Sequence, residues 1–467
     1  SVFMKDKSLT KSITFNDFKK EILNDYKTIV ISRETSLLGR KEVLSGKAKF
    51  GIFGDGKELP QIAMAKAFRR GDHRSGYYRD QTFMLALNEI SVQQIFSALY
   101  ANTDLKKEPM SGGRQMGSHF MSNYIDEKGD FIDSTQKYNS SADISPTSGQ
   151  MPRLLGLAMA SKLYREGSFN SENFSNNGNE VAWGTIGNAS TSEGPFFEVF
   201  NAAGVHQVPM IISVWDDEYG ISVNNSYQTT KSSISKALHG FKRDKSNKGF
   251  EIYTVDGWDY QSLIQIYEHS SNFCRENHIP ILIHVKNLTQ PIGHSTSGSH
   301  ERYKNKSRLE WEMKYDCNRK MREWILDNNL SDLSKIEQIE KDCIEFVKSE
   351  KKAAWDNFQK DIIVERDSFI KLIKSLVHQY KSKDLAEIAN SLLRLKDLGR
   401  KDVMSAARRS LRLENSSDFF EKINNWVSDY KKNTQPFYSS HLYNESKNNY
   451  KSVIPVPPEY NDNSKMV

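Results

Sequence analysis

Three polar stretches of this 467-residue chain each follow a short apolar run. They are Gly187-Asn188-Ala189-Ser190-Thr191-Ser192-Glu193-Gly194, then Asp216-Asp217-Glu218-Tyr219-Gly220, then Gly293-His294-Ser295-Thr296-Ser297 with His300 close behind. Asn188 offers an amide oxygen and Asp217 a carboxylate. A hard cation such as Mg2+ takes a few oxygens from the protein and others from phosphate. The two residues stand 29 positions apart (217 − 188), the length of one strand–helix–strand crossover. A helix opening near Glu193 would aim its N-terminus at a phosphate. His294, in a loop of Gly, Ser and Thr, is a candidate for proton transfer or for stabilising developing charge, because imidazole titrates near neutrality.

The elements that must position these loops follow from patterning. Residues 181–186, 209–215 and 280–285 read as short apolar strands, and residues 196–203, 231–238 and 260–276 as helices. Strands alternating with helices predict an α/β fold, a parallel sheet flanked by helices. In such sheets ligands bind at the carboxyl ends of the strands, where the three polar stretches lie. From about residue 301 the text turns charged and helical; Ile336, Ile339, Cys343, Ile344 and Val347 keep the spacing of one helix face. Residues 367–380 and 384–398 repeat the style, and residues 446–467, with Pro455, Pro457 and Pro458, read as an extended arm. The expected organisation is an N-terminal arm (1–34), an α/β domain (35–330), a C-terminal helical extension (331–440) and a Pro-containing linker (441–467).

Composition narrows the class. The net charge of +6, from 65 basic and 59 acidic residues, is too small for its length to argue for nucleic acid. No apolar run reaches about 18 residues, so no transmembrane helix and no membrane partner is expected. Three cysteines, Cys274, Cys317 and Cys343, make neither a disulfide framework nor a metal spacing. The first ten residues have no apolar signal core, and a cytoplasmic location is expected. The chain starts at Ser1 without an initiator Met, which suggests a trimmed or fragmentary chain.

These motifs together resemble the α chain of the thiamine-diphosphate-dependent component of 2-oxo acid dehydrogenase complexes. Gly187-Asn188-Ala189 stands for that family's Gly-Asp-Gly, and Asp216-Asp217-Glu218-Tyr219-Gly220 for its Asn-Asn-x-Tyr-Gly. Tyr78-Arg79 resembles a pair that contacts the cofactor diphosphate. Gly113-Arg114-Gln115-Met116 with His119 is similar to a segment of the branched-chain branch. Ser145-Pro146-Thr147 and Gln150 match the stretch lining the thiazolium and aminopyrimidine, and Gly293-His294-Ser295-Thr296-Ser297 matches the family's His-Ser-Thr-Ser loop. The resemblance covers roughly residues 35–330. It implies the thiamine-diphosphate-binding fold, with Mg2+ on the side chains of Asn188 and Asp217 and the backbone carbonyl of Tyr219. The cofactor would meet Tyr78, Arg79, Ser145, Thr147, Gly187, Ala189, Ser190, Glu193 and His294, with His294 catalytic.

The resemblance further implies oxidative decarboxylation of a small 2-oxo acid, with the acyl group passed to a lipoylated acyltransferase. A β chain would complete the site with a glutamate, and the family's assembly is two α and two β chains. The segments lean toward branched-chain 2-oxo acids; the alternatives are pyruvate, or a catalytically inert structural subunit. A nicotinamide dehydrogenase is disfavoured, because no Gly-x-Gly-x-x-Gly follows the first strand. The tail around residues 454–460 lies where a β half would begin in a fused α–β polypeptide, so the expectation is an α half cut from such a fusion or its natural separate counterpart. In this sequence the family's aspartate is Asn188 and its second asparagine is Asp217; one carboxylate and one amide remain, and a retained cation site is expected. Trp215 stands where one branch has an arginine, and Ile144 and Gly149 remove two donors of a potassium site. The upstream Gly54-Asp55-Gly56 copies the metal motif, but no Asn-Asn or Asp-Asp lies near position 84, and it reads as a glycine-rich turn.

Overall fold

The computed structural model describes residues 14–245, 248–413, 416–440, 442–461 and 463. Its strands are β1 (His73–Ser75), β2 (Asn139–Ser140), β3 (Ala182–Gly187), β4 (Met210–Trp215), β5 (Tyr219–Gly220), β6 (Val223–Asn224), β7 (Glu251–Asp256) and β8 (Ile281–Lys286). Six form one parallel sheet in the order β2-β1-β3-β4-β8-β7, and β5 and β6 make a small antiparallel hairpin. The three strands legible as apolar runs are β3, β4 and β8, at the centre. Both faces of such strands are covered, so their sequences are almost continuously apolar. Trp183 and Ile211 face one core, while Ala182, Ile186 and Ile212 face the other.

Helices close both faces. Gly194–His206 joins β3 to β4 and buries Phe196, Val199, Phe200 and Ala203, with Phe200 stacked on Phe250 at 3.7 Å between ring centroids. Tyr260–Asn277 starts with the Asp259 carboxylate accepting from the Ser262 N–H and ends where His278 turns left-handed at φ 52°. Such caps satisfy backbone groups that a helix end leaves open. The helix expected over residues 231–238 is reduced to Ile234–Ala237. Among the described residues no helix is long and apolar enough to cross a membrane, and all three cysteines are buried and free.

Two expected boundaries shift. The helix Phe15–Leu44 runs through position 34, and Ile22, Leu23, Tyr26 and Ile29 pack in the main core, so residues 14–34 are not a detached arm. The helix Leu333–Tyr380 buries Ile336, Ile339 and Cys343 in that same core. Only from Ile362 onward does it join a second cluster, with the helices Lys383–Arg394, Arg400–Ser410 and Ser417–Thr434. The helical extension therefore gains a core of its own near residue 360 rather than 330. Farther on, Asn448 donates to the Gly129 carbonyl at 2.6 Å and Lys447 pairs with Asp130 at 2.8 Å.

One buried carboxylate fastens the strands beneath the polar loops. Asp80 accepts from Arg74 Nε at 2.9 Å and Nη2 at 2.6 Å, from Trp215 Nε1 at 3.1 Å, and from the Thr185 hydroxyl. Arg74 also pairs with Asp143 at 3.0 Å. All these groups are buried. Leaving a buried donor unpaired costs about 1–3 kcal/mol. Asp80→Ala is expected to remove about 3 kcal/mol or more of stability, read as a lowered urea midpoint. A loss below about 1 kcal/mol would contradict this account of the sheet.

Candidate active site

Strand register brings two of the loops together. Gly187 pairs with Trp215, and Trp215 with Val285, so the segments beginning at Asn188 and Asp216 leave the sheet side by side. Asn188 is 5% exposed; its backbone N–H donates to the Trp215 carbonyl at 3.3 Å, and its side-chain nitrogen has no partner among the described residues. The hairpin of β5 and β6 folds back over this point. Any Cβ on Gly220 would collide with the Ala189 side chain, so Tyr219 and Gly220 lie directly against the Asn188 segment.

Asp217 is buried, and both of its oxygens are engaged. Oδ1 accepts from the Tyr219 N–H at 3.2 Å, and Oδ2 from Lys57 Nζ at 2.9 Å. Burial alone would raise this carboxyl, but the Lys57 ammonium, with Lys304 and Arg79 farther off, holds it below the usual range. Asp216 is answered separately, by His284 Nε2 at 2.7 Å, whose Nδ1 in turn meets Ser235 Oγ at 2.8 Å. Arg308 donates to the Asp217 carbonyl at 2.8 Å, and Lys304 lies 5.2 Å from the centroid of the Tyr219 ring. The Asn188–Asp217 pair keeps the −1 of an Asp–Asn pair, and the Lys57 ammonium sets a positive charge directly beside it.

Arg79 and His294 form the second half of the site. Arg79 is 5% exposed; Nη1 donates to the Phe53 carbonyl at 2.6 Å, and Nη2 reaches the His294 carbonyl at 2.9 Å and His294 Nδ1 at 3.0 Å. A guanidinium only donates, so Nδ1 is the acceptor and the neutral imidazole carries its proton on Nε2. Burial, then Arg79, with Lys57 adding and Asp217 opposing, lowers the His294 pKa to about 4. The imidazole is therefore neutral at pH 7 and offers one N–H. This removes the expected titration near neutrality in the ligand-free chain.

The remaining candidates divide between wall and rim. Tyr78 lies over Arg79, 5.9 Å from the guanidinium carbon to the ring centroid, and its ring is tilted against His119, whose Nε2 meets Ser145 Oγ at 2.9 Å. Thr147 donates to Glu193 at 3.0 Å, and Ser145, Thr147 and Glu193 are all exposed. Ser190 stands in the 3-10 turn Ala189–Ser192, and the following helix opens at Glu193 without a side-chain cap; its second residue, Pro195, has no N–H, and the Phe196 N–H donates to the Glu193 carbonyl at 3.2 Å, so its first turn offers little to an anion. Gly187 lies beside the Tyr77 hydroxyl. Gly54-Asp55-Gly56 is a glycine-rich turn, as read from the sequence, but it lies within the site. A Cβ on Gly54 would collide with the Arg79 carbonyl oxygen, and one on Gly56, at φ 81°, with the Thr289 carbonyl oxygen. Lys57, the next residue, was missed by sequence reasoning, and its place directly after that turn was the available signal.

The donor chemistry fits a hard cation with a diphosphate. Among the described residues no group of three or more His, Cys, Asp and Glu could hold a metal. A cation here would depend instead on one carboxylate with amide and carbonyl oxygens, the donor types Mg2+ accepts when phosphate supplies the rest. The unpartnered Asn188 side-chain nitrogen and the buried Arg79 are donors that the diphosphate oxygens would satisfy.

Comparison with known proteins gives a consistent picture. The sequence model described as Dehydrogenase E1 component matches residues 26–362. The 2-oxoisovalerate dehydrogenase subunit alpha of Bacillus subtilis (strain 168) is 27% identical over 302 residues, covering 64% of this chain and 79% of its own length. The pyruvate dehydrogenase E1 component subunit alpha of Rickettsia prowazekii (strain Madrid E) is 23% identical over 337 residues, covering 72% and 91%. The mitochondrial 2-oxoisovalerate dehydrogenase subunit alpha 1 of Arabidopsis thaliana is 23% identical over 285 residues, covering 61% and 52%.

A folded His294 pKa of about 4 against 6.5 unfolded means that the unfolded chain binds the extra proton between those values. Stability from this group is full above pH 6.5 and is lost as pH falls toward 4. Nitrogen NMR of the ligand-free chain is expected to show His294 as the neutral Nε2–H form at pH 6. A protonated ring at that pH would contradict the assignment.

Proposed function

The chain belongs to the Dehydrogenase E1 component family, and from that premise we propose that it works as the α half of a thiamine-diphosphate site. Its reaction is the oxidative decarboxylation of a 2-oxo acid, with acyl transfer to a lipoyl group on a partner acyltransferase. The single observation that supports this most is that the Asn188 and Asp216 segments leave one parallel sheet side by side, with Arg79 near enough to act on the Asp217 carboxyl. Bound thiamine diphosphate supplies the carbanion chemistry that decarboxylates a 2-oxo acid.

This chain's own residues bind and orient. Arg79 takes the phosphate oxygens. Asn188, Asp217 and the Tyr219 carbonyl hold Mg2+. Gly187, Ala189, Ser190 and Glu193 shape the loop beside it, and Tyr78, Ser145 and Thr147 line the cofactor's other end. His294 donates its Nε2–H to a developing negative charge on the substrate, its orientation set by Arg79 on Nδ1. A β chain supplies the missing glutamate, two α and two β chains form the assembly, and the location is cytoplasmic.

Branched-chain 2-oxo acids are the proposed substrates. The segment Gly113-Arg114-Gln115-Met116 supports this over pyruvate, while both substrates are represented among the relatives. One observation favours a second reading, an inert structural subunit: the Lys57 ammonium already answers Asp217. Assay of the assembly with its β subunit separates them. Turnover of 3-methyl-2-oxobutanoate is expected to exceed that of pyruvate by about tenfold or more, the scale of a few methylenes in a pocket. The reverse order makes pyruvate the substrate, and no decarboxylation of either acid makes the subunit inert. His294→Ala is expected to keep cofactor affinity while lowering lipoamide-dependent turnover by about 100-fold, the scale of one lost charge-stabilising donor. Unchanged turnover contradicts the role.

A further inference from the structure

Lys57 is the charged side chain bonded directly to the Asp217 carboxylate, and neither motif spacing nor family resemblance assigns it. Its side chain is 2% exposed and makes three hydrogen bonds, to Asp217 Oδ2 at 2.9 Å, the Thr289 carbonyl at 2.9 Å and Gln290 Oε1 at 2.7 Å. An amine that donates three times is an ammonium; burial lowers the Lys57 pKa, but the Asp217 carboxylate beside it favours the charged form, so a positive charge lies against a proposed cation ligand. The placement is enforced from both sides. Gly54 and Gly56 press the turn before it onto the Arg79 and Thr289 backbones, and Gln290 Nε2 donates back to the Asp55 carbonyl at 3.2 Å. The Lys57 backbone is thereby fixed beside Asp217, and its three hydrogen bonds hold the ammonium there.

The consequence is electrostatic. Ligand charge governs the affinity of an oxygen site for a hard cation. The formal charges of Asn188, Asp216, Asp217, Lys57 and Arg79 cancel. A bare divalent cation meets no net attraction there, whereas one arriving with a diphosphate brings its own anions. We propose that Lys57 is a positioning residue that makes cation binding conditional on the diphosphate, by neutralising Asp217 while holding it in place. This rests on the reading that Asn188, Asp217 and Tyr219 take a divalent cation with the cofactor.

Mn2+ is the probe, its free concentration read by electron paramagnetic resonance on the full chain assembled with its β subunit. Wild type is expected to bind Mn2+ about 100-fold more tightly with thiamine diphosphate than without it. Lys57→Met is expected to bind Mn2+ alone about tenfold more tightly than wild type, and adding Asp217→Asn should return that affinity to the wild-type level. A gain of binding is not the effect of a merely structural residue. Should the methionine variant not fold, Lys57→Gln repeats the measurement with the charge removed and a donor kept. Wild-type Mn2+ binding that thiamine diphosphate changes by less than threefold overturns the proposal whatever the variants do. Cofactor-dependent Mn2+ binding with no gain in the Lys57 variants overturns this inference alone. No Mn2+ binding even with the cofactor overturns the cation site and the inference together.

Discussion

The Asp80 carboxylate is the anchor on which the site depends. It directly follows Arg79, accepts from Thr185 three residues before Asn188, and accepts from Trp215 two residues before Asp217. Three segments distant in sequence are thereby fixed to one buried anion, itself neutralised by Arg74. A buried charge of this kind is tolerated only with full hydrogen bonding, and such a network resists displacement because any broken bond leaves an unpaired group in a low-dielectric interior. Trp215, which stands where some relatives of the α chain have a phosphate-binding arginine, thus has a structural task of its own. Its indole N–H ties the end of β4 to the residue after Arg79.

The same discipline governs the two carboxylates at the mouth of the site. An Asp-Asp pair at a strand end would repel itself if bare. Here Asp216 is answered by His284 and Asp217 by Lys57, each from a different element. The arrangement retains an oxygen-rich corner in which each carboxylate is held by a side chain from another element. A neutral His294, pinned by Arg79, fits this economy, because one more cation beside Arg79 and Lys57 would cost further desolvation and repulsion.

Much of this was legible in the sequence, and the rest was hidden for identifiable reasons. β3, β4 and β8 announce themselves because central strands of a covered sheet are apolar throughout. β1 and β2 do not, being three and two residues long with polar side chains such as Arg74 and Asn139. β7 lies at the edge, with only Val255 buried. Asn188, Asp217, Arg79 and His294 could be read from motif order. Lys57 could not, because its partner lies 160 positions away and only the folded sheet brings the two together. The N-terminal segment was misjudged as an arm because its helix is polar on most of its surface and buries only a narrow stripe. The family match ends at residue 362, where the second helical core begins, so sequence resemblance had nothing to say about those helices.

The central claim is that Asn188 and Asp217, at the two ends of one crossover, share a divalent ion that anchors a pyrophosphate. Anomalous diffraction from Mn2+ in crystals of the assembled enzyme with thiamine diphosphate tests it most directly. The account predicts one peak within roughly 2.3 Å of the Asn188 amide oxygen, the Asp217 carboxylate and the Tyr219 carbonyl. A peak bound elsewhere, with those three oxygens left to protein partners alone, would contradict it.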